Sequence, residues 1–385
     1  MNYPTYKLGD VAEIILGQSP ESKSYNTKGE GLPFFQGKTE FTDWFPIPNK
    51  WCTEPKKIAE PFDVLLSVRA PVGPTNIAKE KCCIGRGLAA IRYADCYKYV
   101  LYYLRSVNKY LESKATGTTF SSISGDTIKN LPIPLPPLAT QHAIVSRIET
   151  LFAELDKGVE HLCTAQQQLK TYRQAVLKAA FEGCDKFEKI IKHFDVTGGL
   201  TKNSQREKFP VKMPYLRVAN VYYNRLDLSE IKEIGVQESE IKEKLLKKDD
   251  LLFVEGNGSK EQIGRVAIWN GSIENCLHQN HIIKGRPLGT TLSKFALYYF
   301  ISDFGREQII KVASSTSGLY TLSTEKVRNL NVPACSISEQ QRIVAEIESR
   351  LSQASAAEES IGKALQQAEA LRQSILKKAF SGELI

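Results

Sequence analysis

The sequence predicts an α/β protein built twice over: two α/β domains alternating with two long helices that pair as an antiparallel coiled coil. Three observations lead there. The 385 residues exceed one ordinary domain of ~100–200 residues. Two stretches 199 residues apart match one another. Both matched stretches carry an apolar heptad seam.

The repeat comes first. Gln141, Ile144, Val145, Ile148 and Glu149 recur as Gln340, Ile343, Val344, Ile347 and Glu348. Arg173, Gln174, Leu177, Lys178, Ala180, Phe181 and Gly183 recur as Arg372, Gln373, Leu376, Lys377, Ala379, Phe380 and Gly382. Residues 141–183 and 340–382 share 16 identities in 43 ungapped positions, too many for unrelated stretches. Upstream, Ile123, Ser124, Asn130, Leu131 and Pro134 align with Leu322, Ser323, Asn329, Leu330 and Pro333. Lys98, Leu101, Tyr102 and Tyr103 align with Lys294, Leu297, Tyr298 and Tyr299 at an offset of 196. Earlier still, only Asp63-Val-Leu-Leu66 echoes Asp250-Leu-Leu-Phe253. Each half has a variable front and a matched back, as duplication with divergence of the fronts would leave. The boundaries follow: a first domain over 1–138, a helix over 139–184, a second domain over 185–337 and a second helix over 338–385.

With Ile148 as heptad position a, the pairing positions of the first helix are Ile148, Leu155, Leu162, Leu169 and Val176. Those of the second include Ile347, Ile361 and Ile375, and its several Ala would let the backbones approach closely. The d positions are mixed, with Gly158 and Tyr172 in one copy and Arg350 and Lys378 in the other. Pro132, Pro134, Pro136 and Pro137 bar any helix before the first copy, and Gly183 and Gly382 end the two. Forty-three helical residues make a rod of roughly 65 Å. Antiparallel helices bring the ends of segment 185–338 together, so a compact domain can bridge them; parallel helices would not. The expected whole is a pseudo-twofold repeat with one basic domain near each end. In the fronts, Pro61–Val68 and Leu251–Val254 read as strands, and Tyr97–Leu111 and Leu292–Val312 as amphipathic helices.

Charge is placed to match. Of the net +8, residues 1–139 hold +4 and 185–338 hold +5, while the two helices are near neutral. Two modest basic surfaces on a neutral frame suit a polyanion bound at two places. Hydrophobic residues make up 42% and charged residues 24%, the balance of a soluble globular chain. No run approaches the ~18 apolar residues of a membrane span. The first residues lack the order of a signal peptide. Eight scattered Cys without a C-x-x-C pair read as reduced thiols in the cytoplasm.

Catalytic signatures are missing. Gly31–Thr39 only approximates a phosphate loop, with Leu32 where glycine is required. Cys276, His278 and His281 lack the second ligand pair of a metal site, and a polar loop is the better reading. Cys82 and Cys83 read as buried thiols. No catalytic or metal residues are assigned, which favours a binding protein. The loops, however, carry groups suited to phosphates and base edges: Arg69, Arg86 and Thr118 in the first front, and Arg217, Asn220, Asn257, Lys260, Gln279 and Asn280 in the second. Arg can take guanine O6 and N7 together, and Asn or Gln can take adenine N6 and N7. Taken singly, each is more often a residue that holds its own loop.

This arrangement resembles the specificity subunits of type I restriction–modification systems. The residues carrying the resemblance are Leu131–Leu138 with its prolines, Gln141-x-x-Ile144-Val145, the Leu-Lys-x-Ala-Phe stretch and Phe380-Ser-Gly382-Glu383-Leu384. Asp250–Ser259 and Ile263–Trp269 also look like family target-recognition segments. The likeness covers essentially the whole chain. One departure is Asn331-Val-Pro-Ala-Cys335 in place of the proline-rich run, which would loosen that hinge. The resemblance implies that each domain reads one half of a bipartite, asymmetric double-stranded DNA target. It also implies that the helices set the spacer and dock two modification (methyltransferase) subunits. Those subunits would bind S-adenosylmethionine, and motor-nuclease restriction subunits would use ATP and Mg²⁺; this chain would hold no cofactor and carry no catalysis itself. The competing readings are a coiled-coil interaction scaffold without DNA specificity and an enzyme with an unrecognised site, such as a nuclease fused to a recognition domain.

Overall fold

The computed structural model describes residues 3–117, 121–256, 259–313 and 320–385. The chain divides into two compact units, residues 1–163 with 362–385, and residues 164–361. It is a mixed α/β chain with two helices of 44 and 45 residues, Leu138–Phe181 and Ile337–Ser381. Each long helix contributes one end to each unit.

In unit 1 the central sheet has the order Glu13–Leu16, Leu88–Arg92, Val64–Ser67, Thr75–Ile77, all antiparallel. In unit 2 the order is Phe194–Gly198, Ile282–Pro287, Leu251–Val254, Val266–Ile268, again all antiparallel. The topology is the same, although these fronts share almost no sequence. The Asp63–Leu66 echo marks the start of matching strands. Val64–Ser67 and Leu251–Val254 are buried along their whole length, as a run of Val, Leu and Phe between two covered faces requires.

The matched backs fold alike. Thr5–Lys7 pairs with Pro132–Pro134 in unit 1, and Phe187–Lys189 with Asn331–Pro333 in unit 2. The second half therefore forms its strand without the proline-rich run. Each helical stretch expected in the fronts is broken. The first is Tyr97–Ser106 followed by Asn108–Ser113, and the second is Ser293–Ile301 followed by Asp303–Ala313. At the second break Gly305 lies against Tyr299, where a Cβ would stand 2.2 Å from the carbonyl oxygen. Only glycine permits that approach.

Within unit 1, Ile144, Val145, Ile148 and Phe152 share a core with Ile375, Leu376 and Ala379. Within unit 2, Leu177 and Phe181 share a core with Ile343, Val344 and Ile347. The start of one helix thus lies with the end of the other, which is antiparallel packing. Arg372 bonds Asp156 in unit 1. Its repeat partner Arg173 bonds Glu358 at 2.8 Å and Ser355 at 3.1 Å in unit 2. At the C-terminal ends, Phe380 packs edge-on to Tyr99 and Tyr103, and Phe181 edge-on to Phe295 and Tyr299.

The seam is narrower than the heptad pattern suggests. Ile148, Val176, Ile347 and Ile375 are buried, while Leu155, Leu162, Leu169 and Ile361 are half-buried. Gly158, Tyr172, Arg350, Ala357 and Lys378, all at d, are exposed. Two helices alone cover one strip, and Ile148, Ile347 and Ile375 are buried where the rest of each unit packs against the helix ends. Ser381 is followed by Gly382 at φ 80°, and Glu383 N donates to Lys378 O at 3.0 Å, a glycine-capped helix end.

Candidate nucleic-acid interface

The two halves share one turn at equivalent positions. In unit 1 the strand Cys82–Ile84 runs parallel to Leu32–Phe35, with Phe35 opposite Ile84, then turns through Gly85–Gly87 into Leu88–Arg92. In unit 2, Leu277–His278 runs parallel to Val211–Leu216, with Leu216 opposite His278, then turns through Gln279–His281 into Ile282–Pro287. Several of its backbone bonds have counterparts. Gly85 N donates to Phe35 O at 2.8 Å, and Gln279 N to Leu216 O at 2.9 Å. Gln18 N donates to Ile84 O at 3.0 Å, and Leu200 N to His278 O at 2.8 Å. Val68 N donates to Gly87 O, and Glu255 N to His281 O, both at 2.9 Å. These bonds equate Gly85, Arg86 and Gly87 with Gln279, Asn280 and His281. Gly17 and Gly199 occupy matching places under the turn. A Cβ on Gly17 would lie 2.2 Å from Gly85 O, and one on Gly199 would lie 2.2 Å from His278 O.

Several of the sequence candidates lie on or beside this turn. Arg86 is exposed at its apex, its Nε 3.4 Å from Ser19 Oγ. Arg69 is exposed and lines the same cleft as Arg86, with Gly17, Ser122 and Gly125. Its place in unit 2 is taken by Gly256, since Arg69 bridges Ser122 as Gly256 bridges Thr321. Gln279 and Asn280 are half-exposed on the equivalent turn, and no hydrogen bond engages their side-chain amides among the described residues. Lys260 is exposed on the loop after Leu251–Val254, and among the described residues only its carbonyl is bonded, by Arg306 at 3.4 Å.

Two candidates are turned inward. Asn220 is 3% exposed, accepts from Arg217 N at 2.8 Å and donates to Asp227 O and Glu230 O at 2.8 and 3.1 Å. Its amide is consumed within the fold, so it fastens a loop and is not placed to read a base. Arg217 is half-buried and holds Glu230 at 3.3 Å, which draws the guanidinium toward its own loop. Thr118 and Asn257 lie outside the described residues.

Some basic and aromatic groups escaped the sequence reading. Arg225 is exposed with its guanidinium 4.5 Å from the Tyr222 ring centre, and Arg265 lies 5.1 Å from the same ring. Arg306 stacks 5.0 Å from Tyr223 and donates to Ile263 O at 2.7 Å. The run Tyr222-Tyr223-Asn224-Arg225 carried the signal, since interleaved aromatic and basic residues suit bases and phosphates.

Beneath the turn the chemistry is internal. His278 is fully buried, with Nδ1 2.8 Å from Ile282 O, and burial pushes its pKa down to about 3. A neutral imidazole there donates from Nδ1. His281 pairs with Glu255 at 2.9 Å, and Cys276 donates to Leu277 O at 3.5 Å, so the three groups point to separate partners. Cys82 and Cys83 are buried thiols, each pushed up to about 12 by burial.

Comparison with known proteins gives a consistent result. The type I restriction modification DNA specificity domain matches this chain twice, over residues 2–161 and 191–367. Over 375 residues the chain is 27% identical to the EcoKI specificity subunit of Escherichia coli, covering 90% of this chain and 80% of that one. A 175-residue stretch is 39% identical to the MjaX specificity subunit of Methanocaldococcus jannaschii, covering 44% of this chain but only 40% of the relative. A chain from a solved type I restriction–modification system superposes with a TM-score of 0.74 at 17% identity, over 99% of this chain and 98% of that one.

Proposed function

The chain belongs to the type I restriction–modification DNA specificity family, and on that premise we propose that it is the specificity subunit of such a complex, with each unit reading one half of a bipartite DNA target. One observation carries this reading. The two units repeat a turn held by the same set of strand-to-turn backbone bonds, while the side chains it presents differ, with Gly, Arg and Gly in one and Gln, Asn and His in the other. A constant support with variable exposed donors is what two different base sequences require. A scaffold without DNA specificity gives no reason for that pattern.

The chain itself is non-catalytic and works in the cytoplasm. Two modification subunits, carrying S-adenosylmethionine, dock on the helices, and restriction subunits bring ATP and Mg²⁺. The helices, which run from one unit into the other, set the unread spacer. Phosphate contacts from the basic domains supply much of the affinity, so binding weakens steeply with added salt. The test is adenine-methylation mapping in cells expressing this chain with its modification subunit. A bipartite methylated motif is expected. Replacing residues 185–333 with the corresponding segment of a relative should change one half of that motif only. A change in both halves, or methylation independent of this chain, would overturn the reading.

A further inference from the structure

Resting on the reading of each unit as a DNA reader, we propose that the middle residue of the shared turn selects a base in both halves: Arg86 takes a guanine and Asn280 takes an adenine. The fronts have diverged too far for sequence alignment to equate these two residues. The hydrogen bonds equate them, because Gly85 and Gln279 donate to the same place on the neighbouring strand, and Gly87 and His281 accept from the same place.

The turn leaves one position free for reading in both halves. In unit 1, Gly85 and Gly87 flank Arg86, so Arg86 is the single side chain the turn presents. In unit 2 the third residue, His281, is held by Glu255 at 2.9 Å. The backbone under the middle residue is fixed each time, Arg86 N by Ser19 Oγ at 3.3 Å and Asn280 N by Leu200 O at 2.9 Å. Neither the terminal guanidinium nitrogens of Arg86 nor the amide of Asn280 is hydrogen-bonded among the described residues. These are the groups that two-bond contacts to guanine and adenine use. Arg69 lines the cleft beside Arg86, whereas Gly256 stands at its place in unit 2. The first half thus has a second cation for a phosphate or a neighbouring base.

The experiment assembles the chain with its modification subunit, binds a pool of randomised duplexes and sequences the bound fraction. The parent assembly should enrich a bipartite motif; failure to enrich any motif would count against the DNA-specificity reading itself and not against this turn. Arg86→Ala should relax one guanine in one half, the preference falling roughly 5- to 150-fold, with the other half unchanged. Arg86→Asn should turn that position toward adenine. Asn280→Ala should relax one adenine in the opposite half, and Asn280→Arg should turn it toward guanine. Thermal unfolding of each variant should match the parent, since both side chains lie outside the cores. If the alanine variants unfold early, Arg86→Lys keeps the charge, loses the two-bond geometry and should lose guanine preference while still binding. Parent preferences at every position, changes in both halves from one variant, or uniform weakening with a shallower salt slope would each overturn the assignment.

Discussion

Asp63 and Asp250 are 2% and 0% exposed, and each holds an arginine from the neighbouring strand. Arg92 donates to Asp63 at 3.0 and 2.9 Å, and Arg286 to Asp250 at 2.9 and 2.7 Å. Each carboxylate also accepts a backbone N–H three residues earlier, from Glu60 at 2.8 Å and Lys247 at 2.7 Å. Removing one partner strands the other charge. Asp250→Ala should cost ~3 kcal/mol or more, read from the urea midpoint. Asp63→Ala should cost less, because Arg92 keeps Glu13 at 2.8 Å. A second prediction concerns pH. The folded pKa of His278, about 3, lies below its ordinary 6.5, so the unfolded chain binds the extra proton between those values. Stability from this group is full above pH 6.5 and is lost as pH falls toward 3. His278→Ile, which installs the residue that Ile84 provides in unit 1, should flatten the decline of the unfolding midpoint between pH 6.5 and 4. The sequence displayed Asp63 and Asp250 as an echo but gave no sign of their arginines, which come from strands 29 and 36 residues downstream.

Among elements, the long helices are anchored at their ends more than along their middles. Phe181 is 2% exposed between Phe295 and Tyr299, and Phe181→Ala should cost ~3–5 kcal/mol. Phe380, half-buried against Tyr99 and Tyr103, should cost less on the same change, and thermal unfolding of the two variants tests the order. Gln141 and Gln340, both buried, tie the helix starts to the domains. Gln141 Nε2 donates to Pro136 O and Gln340 Nε2 to Cys335 O, each at 2.9 Å, and Gln340 Oε1 accepts from Leu292 N at 2.8 Å. Helix existence was legible because a 3.6-residue pattern belongs to the segment itself. The wet d positions were not, because they depend on how far the domain at each end reaches along the helix. The breaks at Val107 and Ser302 were hidden for the same reason, since apolar spacing continues through both.

At the scale of the molecule, each long helix passes from one unit into the other, near Cys163 and near Gly362. Insertions at the helix ends would cut into the cores that hold Phe181 and Ile343. Four helical residues added between Cys163 and Thr164, and four between Ile361 and Gly362, leave those cores whole. Each insertion adds ~6 Å against ~3.4 Å per base pair, so the methylated motif should keep both halves and gain one or two spacer base pairs. Four residues turn a helix by little more than 360°, which keeps the units facing nearly as before. Methylation at an unchanged spacer would show that the helices dock partners without measuring DNA.

The sequence by itself determined the duplication, the two long helices, their antiparallel sense and the family, because repeats and heptads are patterns within the chain. It also placed Arg86, Gln279 and Asn280 among the candidate readers. It could not show that Arg86 and Asn280 hold one position, because the two turns share no residue type and only backbone bonds equate them. Nor could it separate Asn220 from Asn280. Both are loop asparagines in the sequence, yet one spends its amide on Arg217, Asp227 and Glu230, while the other leaves it open. Which polar groups the fold consumes is decided by residues brought together from distant strands, and only the tertiary structure brings them there.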